Sequence, residues 1–117
     1  MAVRPEEAVS CLRDRFARVS PLDRAAEQRA RDSLSRLVAR LKAAGVSRGT
    51  LFGSLATGTF RDGSDIDIAV EGISPWSLAS LQEDLRDSTG ERVDLIPLSA
   101  ANPALREQIL RGGVDLL

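Results

Sequence analysis

The sequence predicts a single α+β domain in which helices precede a small set of strands. With 117 residues, 43% of them hydrophobic and 28% charged, the chain has the size and composition of one folded domain. Apolar residues recur at helical spacing up to residue 45, whereas residues 46–117 break into short apolar segments separated by Gly, Pro and Ser. We therefore expect N-terminal helices over residues 1–45 and the catalytic or binding core over residues 46–117.

Two helices are predicted in the first part of the chain. The first runs from about Pro5 to Val19, because proline suits the first helical turn and apolar residues follow at steps of three and four. Ser20 and Pro21 then have the residue types of an N-cap and a first helical position. The second helix should end at Gly45. Its apolar stripe consists of Ala26, Ala30, Leu34, Leu37, Val38 and Leu41.

Residues 46–117 contain the predicted strands and two further helices. Strands are expected over residues 46–52, 65–70 and 92–96, helices over residues 74–90 and 102–112, and a short edge strand over residues 114–117. Both helices open with a capping residue followed by proline, at Ser74 and at Asn102. Residues 57–64 form a polar loop between the first two strands. The only tryptophan, Trp76, is expected to pack against the core.

The composition excludes several classes of site. The chain has no histidine and one cysteine, which rules out a Cys/His zinc site, a Ser-His-Asp triad and an intramolecular disulfide. No apolar run approaches the roughly 20 residues that cross a bilayer, and the N-terminus lacks a signal-peptide core, so we expect a cytoplasmic protein. Basic residues prevail in the first 50 positions, but they alternate with acids and lack aromatic neighbours. Direct binding of nucleic acid is therefore not expected.

Asp65 and Asp67 are the leading candidates for chemistry. Residues two apart on a strand point to the same face, with α-carbons roughly 6.6 Å apart, and acids are depleted from strands. Two such carboxylates repel each other, so a functional pair usually holds a divalent cation, and oxygen ligands favour magnesium or manganese. Asp94 could supply a third carboxylate from a neighbouring strand. A solvent-facing edge strand is the alternative interpretation of this pattern.

Gly53 and Ser54 come directly after the first strand and are suited to binding phosphate. Glycine lets the main chain approach an anion closely, and free backbone N–H groups follow at the start of the next segment. Gly58 extends this permissive loop. A Gly-Ser pair by itself is in most proteins only a turn, so the pair matters here because two aspartates follow it.

Together these motifs resemble the minimal nucleotidyltransferases of the polymerase-beta superfamily. The resemblance is carried by the segments Leu51–Ser54, Ser64–Ile68 and Arg92–Ile96, and it extends over about residues 46–117. It implies an α+β fold of two layers, with a small mixed sheet backed by helices, and a single nucleotidyltransferase domain over residues 1–117.

The resemblance also implies a role for each motif residue. The nucleotide triphosphate would be bound by Gly53, Ser54, Gly58 and Ser64. Asp65, Asp67 and Asp94 would hold two magnesium ions and be the catalytic carboxylates. Asp94 would also accept a proton. Many relatives have arginines directly after the Gly-Ser pair and two positions later. This chain has Leu55 and Thr57 there, which predicts weaker triphosphate contacts.

The implied reaction is magnesium-dependent transfer of AMP from ATP to a hydroxyl group. Little chain remains for an acceptor domain, so the hydroxyl is expected on another protein. Similar minimal nucleotidyltransferases are often antitoxins that adenylylate a tyrosine of a HEPN ribonuclease toxin. Transfer to a small molecule of the aminoglycoside type, or neutralisation of a partner by contact alone, are the alternatives. The first helix is expected either to join a partner or a second copy in a homo-oligomer, or to fold back on its own sheet.

Overall fold

A computed structural model describes residues 20–117, in which helices alternate with short strands. The elements in chain order are α1 (Pro21–Ala43), β1 (Arg48–Phe52), α2 (Ser54–Thr57), β2 (Ile66–Glu71), α3 (Pro75–Thr89), β3 (Val93–Pro97), a 3₁₀ turn (Leu98–Ala100), α4 (Pro103–Gly112) and β4 (Val114–Asp115). The helix predicted over Pro5–Val19 lies outside the described residues. Among the helices that are described, none has the length and apolarity needed to cross a membrane.

The capping residues that the sequence indicated begin α1 and α4. The Ser20 hydroxyl accepts the backbone N–H of Asp23 at 3.0 Å, and the Asn102 side chain accepts that of Leu105 at 2.8 Å. Each contact pairs one of the N–H groups that the first helical turn leaves without a partner. The predicted beginnings of both helices are therefore confirmed. Helix α3 ends, as predicted, at Gly90, whose φ of 72° is left-handed.

The four strands form one mixed sheet in the order β3-β2-β1-β4. Strand β1 runs antiparallel to β2 and to β4, while β2 and β3 are parallel and are joined by the crossover helix α3. The mixed sheet backed by helices is thus confirmed. The first three strands begin one or two residues later than predicted, at Arg48, Ile66 and Val93, because pairing begins where a partner strand is present rather than where the apolar run begins.

Most of the core lies on the sheet face that α1 and α3 cover. Leu37 and Leu41 of α1 and Leu85 of α3 are fully buried there. Strand alternation directs Ile66, Ile68 and Val70 of β2 into this core. A smaller cluster on the other face consists of Ala69, Leu98 and Ile109, with Phe52, Ile96, Ala101 and Leu105 packed against it. The second predicted helix therefore belongs to the core of the domain.

The prediction that Trp76 packs against the core is wrong, since 82% of its surface is exposed. Helix α3 meets the core through Leu78, Leu81 and Leu85. Residues nine apart on an α-helix point in opposite directions at 3.6 residues per turn, so Trp76 lies on the face opposite Leu85.

Candidate active site

The three candidate carboxylates are brought together at one end of the sheet. Asp67 on β2 stands beside Phe52 of β1 and beside Asp94 of β3. Neighbouring strands are about 4.8 Å apart, so the side chains of Asp67 and Asp94 lie next to each other on one face of the sheet. Asp65 was predicted to be the first residue of β2, but the strand begins one residue later, at Ile66.

Asp67 lies in surroundings that disfavour its charged form. Partial burial, followed by the negative charges of Asp94 and Asp65, raises the pKa of Asp67 from 3.8 to about 6. Within residues 20–117, the carboxylates of Asp67 and Asp94 have neither a hydrogen-bond donor nor an ion-pair partner. A cation at this position would therefore relieve a repulsion that residues 20–117 leave uncompensated.

Asp65 differs because an arginine contacts it. Nε of Arg92 lies 3.1 Å from Oδ1 of Asp65 in an ion pair, and Nη1 of Arg92 donates to the carbonyl of Gly63 at 3.4 Å. The register explains the pair, since Ile66 is opposite Val93 and the residues just before them are also neighbours. Arg92 was not among the residues predicted for the site. The sequence does contain a signal for this pair: Arg92 and Asp94 are two residues apart, as Asp65 and Asp67 are, so parallel pairing of the two segments puts Arg92 beside Asp65.

Gly53 is required next to Asp67 for two reasons. Its φ of 76° and ψ of −153° belong to a region that only glycine adopts readily. A Cβ atom at this position would also overlap the Asp67 carboxylate. Gly58, with a φ of 79°, ends α2 and faces open space. Gly53 therefore belongs to the carboxylate site, whereas Gly58 serves the turn.

The hydroxyl groups near the site have mainly local partners. Ser64 accepts the backbone N–H of Arg61 at 3.0 Å and so closes the turn that leads to Asp65. Thr57 bonds back to the carbonyl of Gly53 at 3.2 Å and thereby closes α2. Ser54 begins that helix and is half-buried. None of these hydroxyls is held by the carboxylates.

Neither position at which the resemblance led us to expect arginine offers a cation here. Leu55 is only 1% exposed and packs in the main core. Thr57 is exposed, and its hydroxyl is engaged within its own turn. Any positive charge that meets a triphosphate has to come from elsewhere in the chain or from bound cations.

The donor set of the site suits a magnesium ion. In the part of the chain that the structure describes, no three His, Cys, Asp or Glu side chains lie so that they could hold a metal ion together, and Asp65, Asp67 and Asp94 therefore do not form a three-carboxylate site by themselves. Magnesium rarely uses such a cage, because it retains several waters and binds through one or two carboxylates and the phosphates of a substrate. The unpaired oxygens of Asp67 and Asp94 meet that requirement.

Comparison with known proteins agrees with this geometry. The family model described as polymerase beta, nucleotidyltransferase matches residues 39–117. A Methanocaldococcus jannaschii protein, provisionally named a protein adenylyltransferase, is 38% identical to this chain over 76 residues. The alignment covers 62% of this chain and 82% of that relative.

Two solved structures share the fold. A protein provisionally described as a minimal nucleotidyltransferase is 32% identical, with a TM-score of 0.65, and the match covers 75% of this chain and 93% of that one. A toxin-antitoxin crystal structure with AMP-PNP is 28% identical, also with a TM-score of 0.65, and the match covers 72% of each chain. Because the family model spans more than half of the sequence, this chain belongs to the polymerase beta nucleotidyltransferase family.

Proposed function

We propose that this chain is an antitoxin that transfers AMP from ATP, with magnesium, to a hydroxyl group of a partner toxin. The acceptor we propose is a tyrosine of a HEPN ribonuclease. The observation that carries this proposal is the half-buried Asp67, which lies beside Asp94 and Gly53 and has no cationic partner within residues 20–117.

The three aspartates divide the work in this proposal. Asp65, Asp67 and Asp94 would hold two magnesium ions, which supply positive charge to the phosphates and to the leaving pyrophosphate. Asp94 would accept the proton of the attacking hydroxyl, provided that the hydroxyl comes within hydrogen-bond reach. A bond forms from the hydroxyl oxygen to the α-phosphorus, and the bond from that phosphorus to the bridging oxygen breaks.

The residues around Gly53 would bind the nucleotide. Gly53 puts the main chain against the carboxylates without a side chain between them. Ser54 offers a hydroxyl at the beginning of α2, while Gly58 and Ser64 shape the turns on either side of the loop. These positions would keep the triphosphate close to the ions that the aspartates bind.

The proposed partner follows from the family and from one structural neighbour. The neighbour with AMP-PNP is a toxin-antitoxin structure, and the Methanocaldococcus jannaschii relative is named as acting on protein. Both point to a protein acceptor rather than a small molecule. The HEPN class of the partner and the tyrosine acceptor are what the sequence resemblance implies.

The experiment combines the purified chain, ATP, magnesium and the protein that the neighbouring gene encodes. We expect the mass of the partner to increase by one or more AMP groups, with the modified residue identified as tyrosine by peptide sequencing. Asp67→Asn should lower the transfer rate by at least about a thousand-fold, because the site loses a carboxylate that would hold magnesium, and with it positive charge that stabilises the transition state. Asp87→Asn removes an exposed carboxylate of α3 and should leave the rate unchanged.

Other outcomes separate the alternatives. Pyrophosphate release that requires an aminoglycoside would show a small-molecule enzyme. Neutralisation of the partner without ATP consumption would show a binding antitoxin. Full transfer by Asp67→Asn would remove this residue from the site.

A further inference from the structure

Helix α1 contacts the loop of residues 58–65, which connects α2 to β2 and so joins the Gly53–Ser54 motif to the aspartates. Oδ1 of Asp23 accepts the backbone N–H of Asp62 at 2.8 Å, across 39 residues of sequence. The Asp62 carboxylate in turn lies 3.9 Å from Nη2 of Arg29 on the same helix. The loop is thus attached to α1 through its main chain and through one side chain.

In sequence, the attachment at Asp62 lies between Gly58 and Ser64, just before the proposed metal ligand Asp65. The first half of the loop is anchored by Phe60, which is 4% exposed and packs in the main core. The second half has no buried side chain, because residues 61–63 are all exposed. Its order depends on polar contacts, namely those of Asp62 with α1, the turn that Ser64 closes, and the bond from Nη1 of Arg92 to the Gly63 carbonyl.

Both contacts with α1 are exposed, and the one from Asp23 is the shorter, at 2.8 Å against 3.9 Å. Both partners of the contact between Arg29 and Asp62 are more than half exposed, and exposed ion pairs contribute little. The Asp23 carboxylate makes a short, charge-assisted bond to a backbone N–H, a class of bond about twice as strong as neutral ones. That bond is the first cause that lowers the pKa of Asp23.

Asp23 is itself fixed by the cap of its helix. Its own backbone N–H is bonded to the Ser20 hydroxyl, and it lies in the first turn of a helix whose Ala26 and Ala30 are buried in the core. The carboxylate therefore projects from a rigid support. Residues 20–38 precede the segment that the family model matches, so the support comes from outside that segment.

We propose that Asp23 is a positioning residue, which holds the loop at Asp62 so that the turn before Asp65 is ordered for nucleotide binding. This inference rests on the proposed function for its effect on ATP. The order of the loop can be measured without any reaction.

The first test is hydrogen exchange of the Asp62 amide, measured by NMR. Asp23→Ala should make this amide exchange at least about ten-fold faster, because it removes the acceptor. Asp23→Asn keeps an acceptor oxygen and should restore much of the protection. Asp32→Ala removes an exposed carboxylate from the same helix and should change nothing at Asp62. Core amides of β2 serve as the internal check that each variant is folded.

The second test separates binding from chemistry. Asp23→Ala should raise the KM for ATP several-fold and change kcat less than two-fold, since Asp23 is remote in sequence from the carboxylates that react. An Asp62 amide that is equally protected in Asp23→Ala overturns the inference, as does faster exchange with an unchanged KM. If the unsubstituted protein transfers no AMP, the proposed function fails. The exchange data and ATP affinity by calorimetry then decide the role of Asp23 separately.

Discussion

Polar groups on the edge of strand β3 and on its face have opposite environments. On the free edge, the carbonyl of Val93 accepts Nε of Arg86 at 2.8 Å, and the N–H of Leu95 donates to Oε1 of Gln82 at 2.9 Å. Pro97, the last residue of the strand, has no N–H to satisfy. On the face, Asp94 lies next to Asp67, and within residues 20–117 neither carboxylate has a partner.

The difference separates polar groups that have partners within the fold from carboxylates that are available to bind a ligand. Partly buried polar groups are normally paired, and helix α3 supplies two side chains that do so at an edge where another strand could otherwise add. The same strand leaves a carboxylate uncompensated a single residue away. An unpaired carboxylate beside one whose pKa is raised, as Asp94 is beside Asp67, is a candidate functional site.

The largest effect on stability is expected at Gly53, where the backbone meets the unpaired carboxylate. Gly53→Ala should lower the free energy of unfolding by about 2–4 kcal/mol, because a side chain is strained at this φ and ψ and overlaps the Asp67 carboxylate. Denaturant unfolding measures the loss. The thermal protection that ATP and magnesium give should disappear in the same variant.

Gly58→Ala is the matched control for that substitution. It also places a side chain at positive φ, but it faces open space, so it should cost only about 1 kcal/mol. In an Asp67→Ala background, the cost of Gly53→Ala should decrease, because the overlapping oxygen is gone. Equal costs in both backgrounds would show that the two residues do not contact each other.

An intermediate effect on stability is expected at the edge of β3, where side chains of α3 pair with the backbone. Gln82→Ala should lower the free energy of unfolding by about 1–2 kcal/mol, because the N–H of Leu95 loses its acceptor, and transfer should continue at the same rate. Gln82→Glu keeps an acceptor oxygen and is the control. A large loss of transfer in a folded Gln82→Ala protein would show that the edge and the site are coupled.

Much of the fold could be predicted because its signals are local. Ser20 and Asn102 cap their helices as expected, and the pattern of Ile66, Asp67 and Ile68 assigned each residue to the correct face of β2. The burial of Trp76 was predicted wrongly because the position of a residue around the helix axis, rather than its own apolarity, decides whether it faces the core.

The contacts of the site could be predicted less well because they join distant segments. The pair of Arg92 with Asp65 depends on the register of two parallel strands, and the bond from Asp23 to Asp62 depends on how α1 crosses the loop. No local pattern contains that information. The sequence indicated which carboxylates converge and left open which of them the protein neutralises.

The smallest expected effect is a pH dependence of stability that comes from Asp67. Its pKa is about 6 in the folded protein against 3.8 for an ordinary aspartate, so between these values the folded state binds more protons than the unfolded state. The free energy of unfolding therefore falls as the pH rises through this window, and the loss is complete above pH 6. With EDTA present, Asp67→Asn should be more stable than the unsubstituted protein by roughly 1 kcal/mol at neutral pH, a value kept small by solvent screening, and the advantage should vanish near pH 4. Magnesium should reduce the advantage at neutral pH, because a bound cation compensates the carboxylate charge. A difference between the two proteins that stays constant from pH 4 to pH 8 would mean that Asp67 is not the group that the fold leaves uncompensated.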